Sequence, residues 1–149
     1  FLHSLMKTKM AESKTHSESV RIGIDYIKSI APMDIHCLIQ SDLPETRIKP
    51  ERTIDNFVPD IRLETDQLKI IGEAKTDEDT MRNHSLQQYD SYLKECQCFP
   101  GSSHIVIVTS FYAVPSITNY IRRKKNVRIP IINCQLLQNH LYQLYLVLK

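Results

Sequence analysis

Apolar positions along this chain switch between two periods. From Ser17 to Ile30 they recur at Val20, Ile24 and Ile27, with Ile30 or Ala31 extending the stripe. That spacing predicts a helix with one buried face, stopped by Pro32. Asp34 to Ile39 reads as a first strand, and Ser41 to Asp55 is polar and proline-bearing, a loop or irregular excursion. Two apolar-rich stretches follow, Asn56 to Leu63 and Leu68 to Lys75, separated by the polar turn Glu64-Thr65-Asp66-Gln67. They predict a β-hairpin. Asp77 to Cys96 runs without Gly or Pro and reads as a helix, capped by Thr76 or Asp77, with Asp77, Glu78 and Asp79 suited to its first turns. His104 to Thr109 is a continuous apolar run, as in a strand covered on both faces. Ser116 to Lys125 reads as a helix started by Pro115, and Arg128 to Asn133 as an edge strand, because Pro130 cannot donate to a ladder. Gln135 to Val147 reads as a terminal helix whose Leu136, Leu137, Leu141, Leu144 and Tyr145 belong to the core or to a dimer contact.

The hairpin carries candidate chemistry. Pro59-Asp60 lies in its first strand and Glu73-Ala74-Lys75 closes its second. Side chains alternate along a strand, so Glu73 and Lys75 share a face and Ala74 points away. Two carboxylates and an ammonium brought together are the minimum equipment for holding Mg²⁺ against a phosphodiester. Mg²⁺ takes oxygen ligands and keeps several waters, so Asp60, Glu73 and the backbone carbonyl of Ala74 suffice beside substrate phosphate. The ion would activate water and neutralise charge on the phosphate. Lys75 would orient that water or stabilise the charge that develops.

Pro59-Asp60 followed by Glu73-Ala74-Lys75 resembles the PD-(D/E)XK nuclease superfamily. After them, His84, Gln88 and Tyr92 fall at i, i+4 and i+8 on one side of the predicted helix. Gln88-Tyr89-Asp90-Ser91-Tyr92 is similar to the Gln-x-x-x-Tyr element of the RecB-like branch. The resemblance implies an α/β fold with a restriction-endonuclease-like αβββαβ core, a mixed central sheet flanked by helices, and here an added C-terminal helix-strand-helix. It implies metal binding by Asp60 and Glu73, hydrolytic assistance by Lys75, a glutamine, Gln88, that positions the lysine or DNA, and a supporting tyrosine, Tyr92. Many members reach over the metal with a glutamate near the start of the first helix. Glu18 matches best and Glu12 less well, although Glu18 also reads as a favourable charge near a helix N-terminus. Tyr92 and His84 are further candidates for contacting nucleic acid. The implied activity is a Mg²⁺- or Mn²⁺-dependent deoxyribonuclease, structure-specific or nonspecific, since no helix-turn-helix or zinc finger accompanies the core. A catalytically silent relative that binds nucleic acid or a protein through the same fold is the alternative.

Composition narrows this only slightly. A chain of 149 residues with 42% hydrophobic and 24% charged residues suits one domain over 1–149, with a core at about 17–133 and residues 1–15 as a flexible lead-in. Its opening on Phe1 fits a fragment of a longer protein. The formal charge of +2 does not announce nucleic-acid binding. Its distribution says more. Arg47, Lys49 and Arg52 cluster before the hairpin and Arg122, Arg123, Lys124, Lys125 and Arg128 after it, either of which could track phosphates. The second cluster equally reads as favourable charge at a helix C-terminus. Cys96 and Cys98 lack the partners of a zinc set, Cys37 and Cys134 read as buried thiols, and free thiols fit a reducing cytoplasm, or a host-cell cytoplasm if phage-encoded. No apolar run reaches the length of a membrane span. The partners implied are DNA and either a homodimer or a larger DNA-processing complex.

Overall fold

The computed structural model describes residues 2–123, 131–136 and 141–147, with side chains for 14–110 and 112–123. The chain runs α1 (Leu2–Ile30), a 3₁₀ turn (Met33–Leu38), β1 (Gln40–Ser41), β2 (Ile61–Glu64), β3 (Leu68–Ala74), α2 (Asn83–Cys98), β4 (Ser102–Ser110), a second 3₁₀ turn (Phe111–Ala113), α3 (Val114–Arg123), β5 (Ile131–Leu136) and β6 (Leu141–Val147). The strands form one mixed sheet in the order β1-β2-β3-β4-β6-β5. The predicted hairpin is present: β2 pairs antiparallel with β3, Ile61 opposite Gly72 and Glu64 opposite Lys69. β3 and β4 are parallel, from Leu68↔Ser102 to Ala74↔Val108. Parallel neighbours need a crossover, and α2 supplies it.

Strand alternation sorts the core into two halves. Ile61, Leu63, Ile70, Ala74, Val106 and Val108 face α1, where Val20, Ile24 and Ile27 pack on them. Ile71, Ile105 and Ile107 face the other way and are covered by Tyr89, Tyr92, Leu93 and Cys96 of α2 and by Ile117 and Ile121 of α3. β4 is therefore buried on both faces, as its unbroken apolar run predicts. Gly23 marks where α1 comes closest to the sheet: a Cβ there would sit 2.9 Å from Ile61 Cδ1 and 3.1 Å from Val108 Cγ2.

Four elements depart from the sequence reading. The first strand is not at Asp34–Ile39. Pro32 instead leads into a 3₁₀ turn with no buried residue, tied back by His36 Nε2 to the Ala31 carbonyl at 2.9 Å, and β1 is the short Gln40–Ser41. In this turn Cys37 is exposed rather than buried. The helix expected from Asp77 begins at Asn83, because Thr76 and Thr80 spend their hydroxyls locally, on Asp79 Oδ2 at 3.1 Å and the Asp77 carbonyl at 2.9 Å. Such bonds stabilise turns in competition with helix. α1 begins at Leu2, further toward the N-terminus than the helix expected from Ser17. The terminal helix is a strand. Residues 141–147 fit a period of two as well as 3.6, and β4 needs a partner for its second row of backbone N–H and C=O groups. β6 fills that row, from Ser110↔Leu141 to His104↔Val147, and β5 pairs with β6 beyond it. The added C-terminal unit is thus helix-strand-strand. The remaining reading of residues 124–130, with their basic cluster, and of the Cys134 side chain lies outside the described residues.

Candidate functional site

The site grows from the register of the hairpin. Ile61 pairs with Gly72, so the residue before β2 and the one after Gly72 stand side by side. They are Asp60 and Glu73. The Asp60 N–H donates to Glu73 Oε2 at 3.2 Å, and the Ala74 N–H donates to Asp60 Oδ2 at 2.9 Å. The alternation expected of Glu73-Ala74-Lys75 holds. Ala74 packs toward α1, while Glu73 and Lys75 both find partners on α2.

α2 contributes those partners at helical spacing. The Tyr92 hydroxyl donates to Glu73 Oε1 at 2.8 Å, and Lys75 Nζ donates to Gln88 Oε1. Gln88 is buried and Tyr92 is completely so. Tyr92 therefore cannot touch nucleic acid directly; its part is to hold the carboxyl. α1 contributes His16, whose Nε2 lies 3.2 Å from Asp60 Oδ1. Hydrogen bonds join Asp60, Glu73, Tyr92 and His16, and Lys75 joins Gln88 beside them, close enough for its charge to act on Glu73; His16 was unforeseen.

The electrostatics follow from crowding two carboxyls in a dry place. Burial, then the bond to Asp60 and its charge, push Glu73 well above the ordinary carboxyl value, against the smaller pull of Lys75 and Tyr92. Burial also pushes Asp60 up, but its bonds to Glu73, His16 and the Ala74 N–H outweigh this and hold it below its ordinary value. Of the pair, Glu73 is therefore the carboxyl that keeps its proton to the higher pH. His16 is raised, chiefly by its bond to Asp60. Two close carboxyls that resist ionising together suit a divalent cation, which would let both carry charge. Among the described residues no three His, Cys, Asp or Glu side chains form a ready-made cage. The donor set fits an ion that accepts two carboxylates, a backbone carbonyl and water, which is the habit of Mg²⁺.

Glu18 lies about 200° round α1 from His16 and is exposed. The stripe held a clue: His16, itself exposed, precedes Val20 by one turn and so continues the line of Val20, Ile24 and Ile27. His84 is exposed at the start of α2, its ring and that of Phe57 in a T-shaped arrangement with centroids 5.7 Å apart. Arg47, Lys49 and Arg52 are exposed in the loop before the hairpin, Lys49 donating to the Asp42 carbonyl at 3.3 Å and Arg52 to the Asn56 carbonyl at 3.1 Å.

A second charged group escaped the sequence reading. Arg62 and Lys69 both bond Glu95 Oε1 beneath α2, and both reach Glu64 at 3.1 Å. Arg62, Lys69 and Glu95 are 4%, 6% and 4% exposed. Such residues are read as solvent-facing from sequence, and only the packing of α2 across the hairpin buries them. Glu95 lies seven residues beyond Gln88, on the same side of the helix, so the cluster helps fix where α2 sits.

No protein-family model, curated protein or solved structure significantly matches the chain. No described helix is long and apolar enough to cross a membrane.

Proposed function

We propose that the protein is a Mg²⁺- or Mn²⁺-dependent nuclease that hydrolyses phosphodiester bonds in DNA, structure-specific or nonspecific, alone or within a larger DNA-processing assembly. The reading rests on one observation above all. Asp60 and Glu73 stand side by side, the Asp60 N–H donating to Glu73 Oε2 at 3.2 Å, and Gln88 holds Lys75 on the same face. The element order α1-β1-β2-β3-α2-β4 supports a restriction-endonuclease-like core for the same chain.

Asp60, Glu73 and the Ala74 carbonyl would hold the ion, which when bound supplies Lewis-acid charge on the phosphate and lowers the pKa of water. The chain's own residues do the positioning. Tyr92 fixes Glu73 Oε1, and the Ala74 N–H fixes Asp60 Oδ2, so both carboxyls are aimed before substrate arrives. Gln88 accepts one proton of the Lys75 ammonium and leaves the others for the nucleophile or a phosphate oxygen. An ammonium already fixed in place stabilises charge in the transition state without reorganising. Hypothesis and test are direct. Linear, circular, branched and single-stranded DNA are incubated with Mg²⁺, Mn²⁺ or EDTA, using the wild type and Asp60→Ala. Cleavage that needs the metal and disappears in Asp60→Ala supports the reading. Full activity in Asp60→Ala or in EDTA removes it, and metal-independent binding without cleavage makes the chain a binding module.

A further inference from the structure

We propose that the exposed His84 ring, backed by Phe57, is a stacking shelf for an unpaired base next to the scissile phosphate, so that the preferred DNA has a single-stranded stretch at the site. The inference rests on the nuclease reading and adds the class of substrate to it.

The two rings come from the two segments that carry the site. His84 is one turn before Gln88 on the same side of α2, a rise of about 6 Å. Phe57 precedes Asp60 by three residues, about 10 Å of extended chain. They meet at 5.7 Å with the planes inclined by 63°. Phe57 is partly buried against the core under α2 and α3, so it is the fixed partner, while His84 is open to solvent.

The support beneath the shelf is well determined. The Thr53 N–H donates to the Phe57 carbonyl at 2.7 Å, and the Phe57 N–H donates to Thr53 Oγ1 at 3.1 Å. The same Thr53 hydroxyl bonds Ser91 of α2 at 2.8 Å, in a buried contact. Asn56, between them, adopts a left-handed backbone with φ 69°, a conformation asparagine tolerates better than most residues. This small ring of bonds ties the Phe57 backbone to the helix that carries His84. The solvent-facing His84 ring, set against Phe57, offers a flat face on the side of α2 that carries Gln88. The first turn of α2 contains no acid, so nothing in it repels the neighbouring phosphate. Bases inside a duplex already stack on one another and hide their faces, whereas an unpaired base is free to lie on a ring.

The test uses the full chain. In an Asp60→Asn background, to hold cleavage silent, a single-stranded oligonucleotide carrying 2-aminopurine is titrated with Ca²⁺ present, alongside the same probe annealed into a duplex. Stacking quenches 2-aminopurine. The expected result is quenching of the single strand, its loss in His84→Ala with affinity weaker on the order of 10-fold, and its return in His84→Phe. Duplex affinity stays unchanged. In the otherwise native chain, His84→Ala raises KM on single-stranded DNA far more than it lowers kcat. Quenching that survives in His84→Ala, or equal weakening of single strand and duplex, overturns the shelf. Failure of the nuclease reading looks different: Asp60→Asn then cleaves like the wild type. No binding of any oligonucleotide removes both.

Discussion

Replacing Glu73 by glutamine keeps the side chain's shape and removes its titration, which isolates the effect of burying this carboxyl. Glu73 is 3% exposed and held well above its ordinary value by burial and by Asp60. In the unfolded chain it titrates near the ordinary 4.5. Above that pH the unfolded state has lost a proton that the folded state keeps, so stability falls as pH rises until the folded group ionises too. The slope is set by one proton, about 1.4 kcal/mol per pH unit. The neighbours do not confuse the part of this window that lies above Asp60's ordinary 3.8 and below His16's ordinary 6.5. Asp60 is lowered from 3.8, so its stabilising effect is already complete above that value. His16 is raised from 6.5, so its stabilisation is fully present below 6.5 and is lost only above. With urea dependences of about 1–3 kcal/mol/M, the wild-type midpoint, without metal, should fall by roughly 0.5–1.4 M per pH unit relative to Glu73→Gln. Urea unfolding followed by circular dichroism at three pH values measures it. Parallel midpoint curves for the two proteins would refute the raised Glu73 carboxyl.

The same proton must leave when a cation binds, so Mg²⁺ affinity should drop as pH falls, and calorimetry in two buffers of different ionisation heat should show proton release; identical heats would count against Glu73 as a ligand. Lys75→Ala should lower the cleavage rate about 10²-fold or more with DNA affinity nearly unchanged, and Gln88→Ala should follow it in direction, whereas equal losses of rate and affinity would reduce Lys75 to a phosphate contact. Glu95→Ala strands Arg62 and Lys69 in the interior and should cost about 3–5 kcal/mol, read by urea unfolding; a cost under ~1 kcal/mol would show that water reaches them. Gly101→Ala would place a Cβ 2.4 Å from the Gln67 carbonyl oxygen, which accepts from the Ser102 N–H at 2.9 Å, and should destabilise by about 1–3 kcal/mol in the same assay.

The hairpin and the buried strand were legible because they are local statements. A period of two, a polar turn and an unbroken apolar run each report their own burial, whatever the rest of the chain does. From the hairpin it followed that Glu73 and Lys75 share a face. The far partner Gln88 came from the resemblance to the Gln-x-x-x-Tyr element; helical spacing by itself only put it on the same side as Tyr92. The run from Asp77 was misleading because the Thr80 hydroxyl took the Asp77 carbonyl and Thr76 took the Asp79 carboxylate, local bonds that favour a turn over a helix. The run from Leu141 was misleading because its leucines suit either period, and the choice belonged to the open row of β4.

What the sequence determined by itself, then, is the pair of carboxyls, the lysine beside them and the strands that present them, since each depends on neighbours only a few residues away. What the tertiary structure decided is everything that required distant segments to meet. His16 reaches Asp60 across 44 positions of chain, and Arg62 meets Glu95 across 33. The protonation of Glu73 belongs to the same class: a carboxyl's pKa is set by how much water its surroundings exclude and which charges they bring. Only the packing of α2 and the hairpin fixes those two quantities.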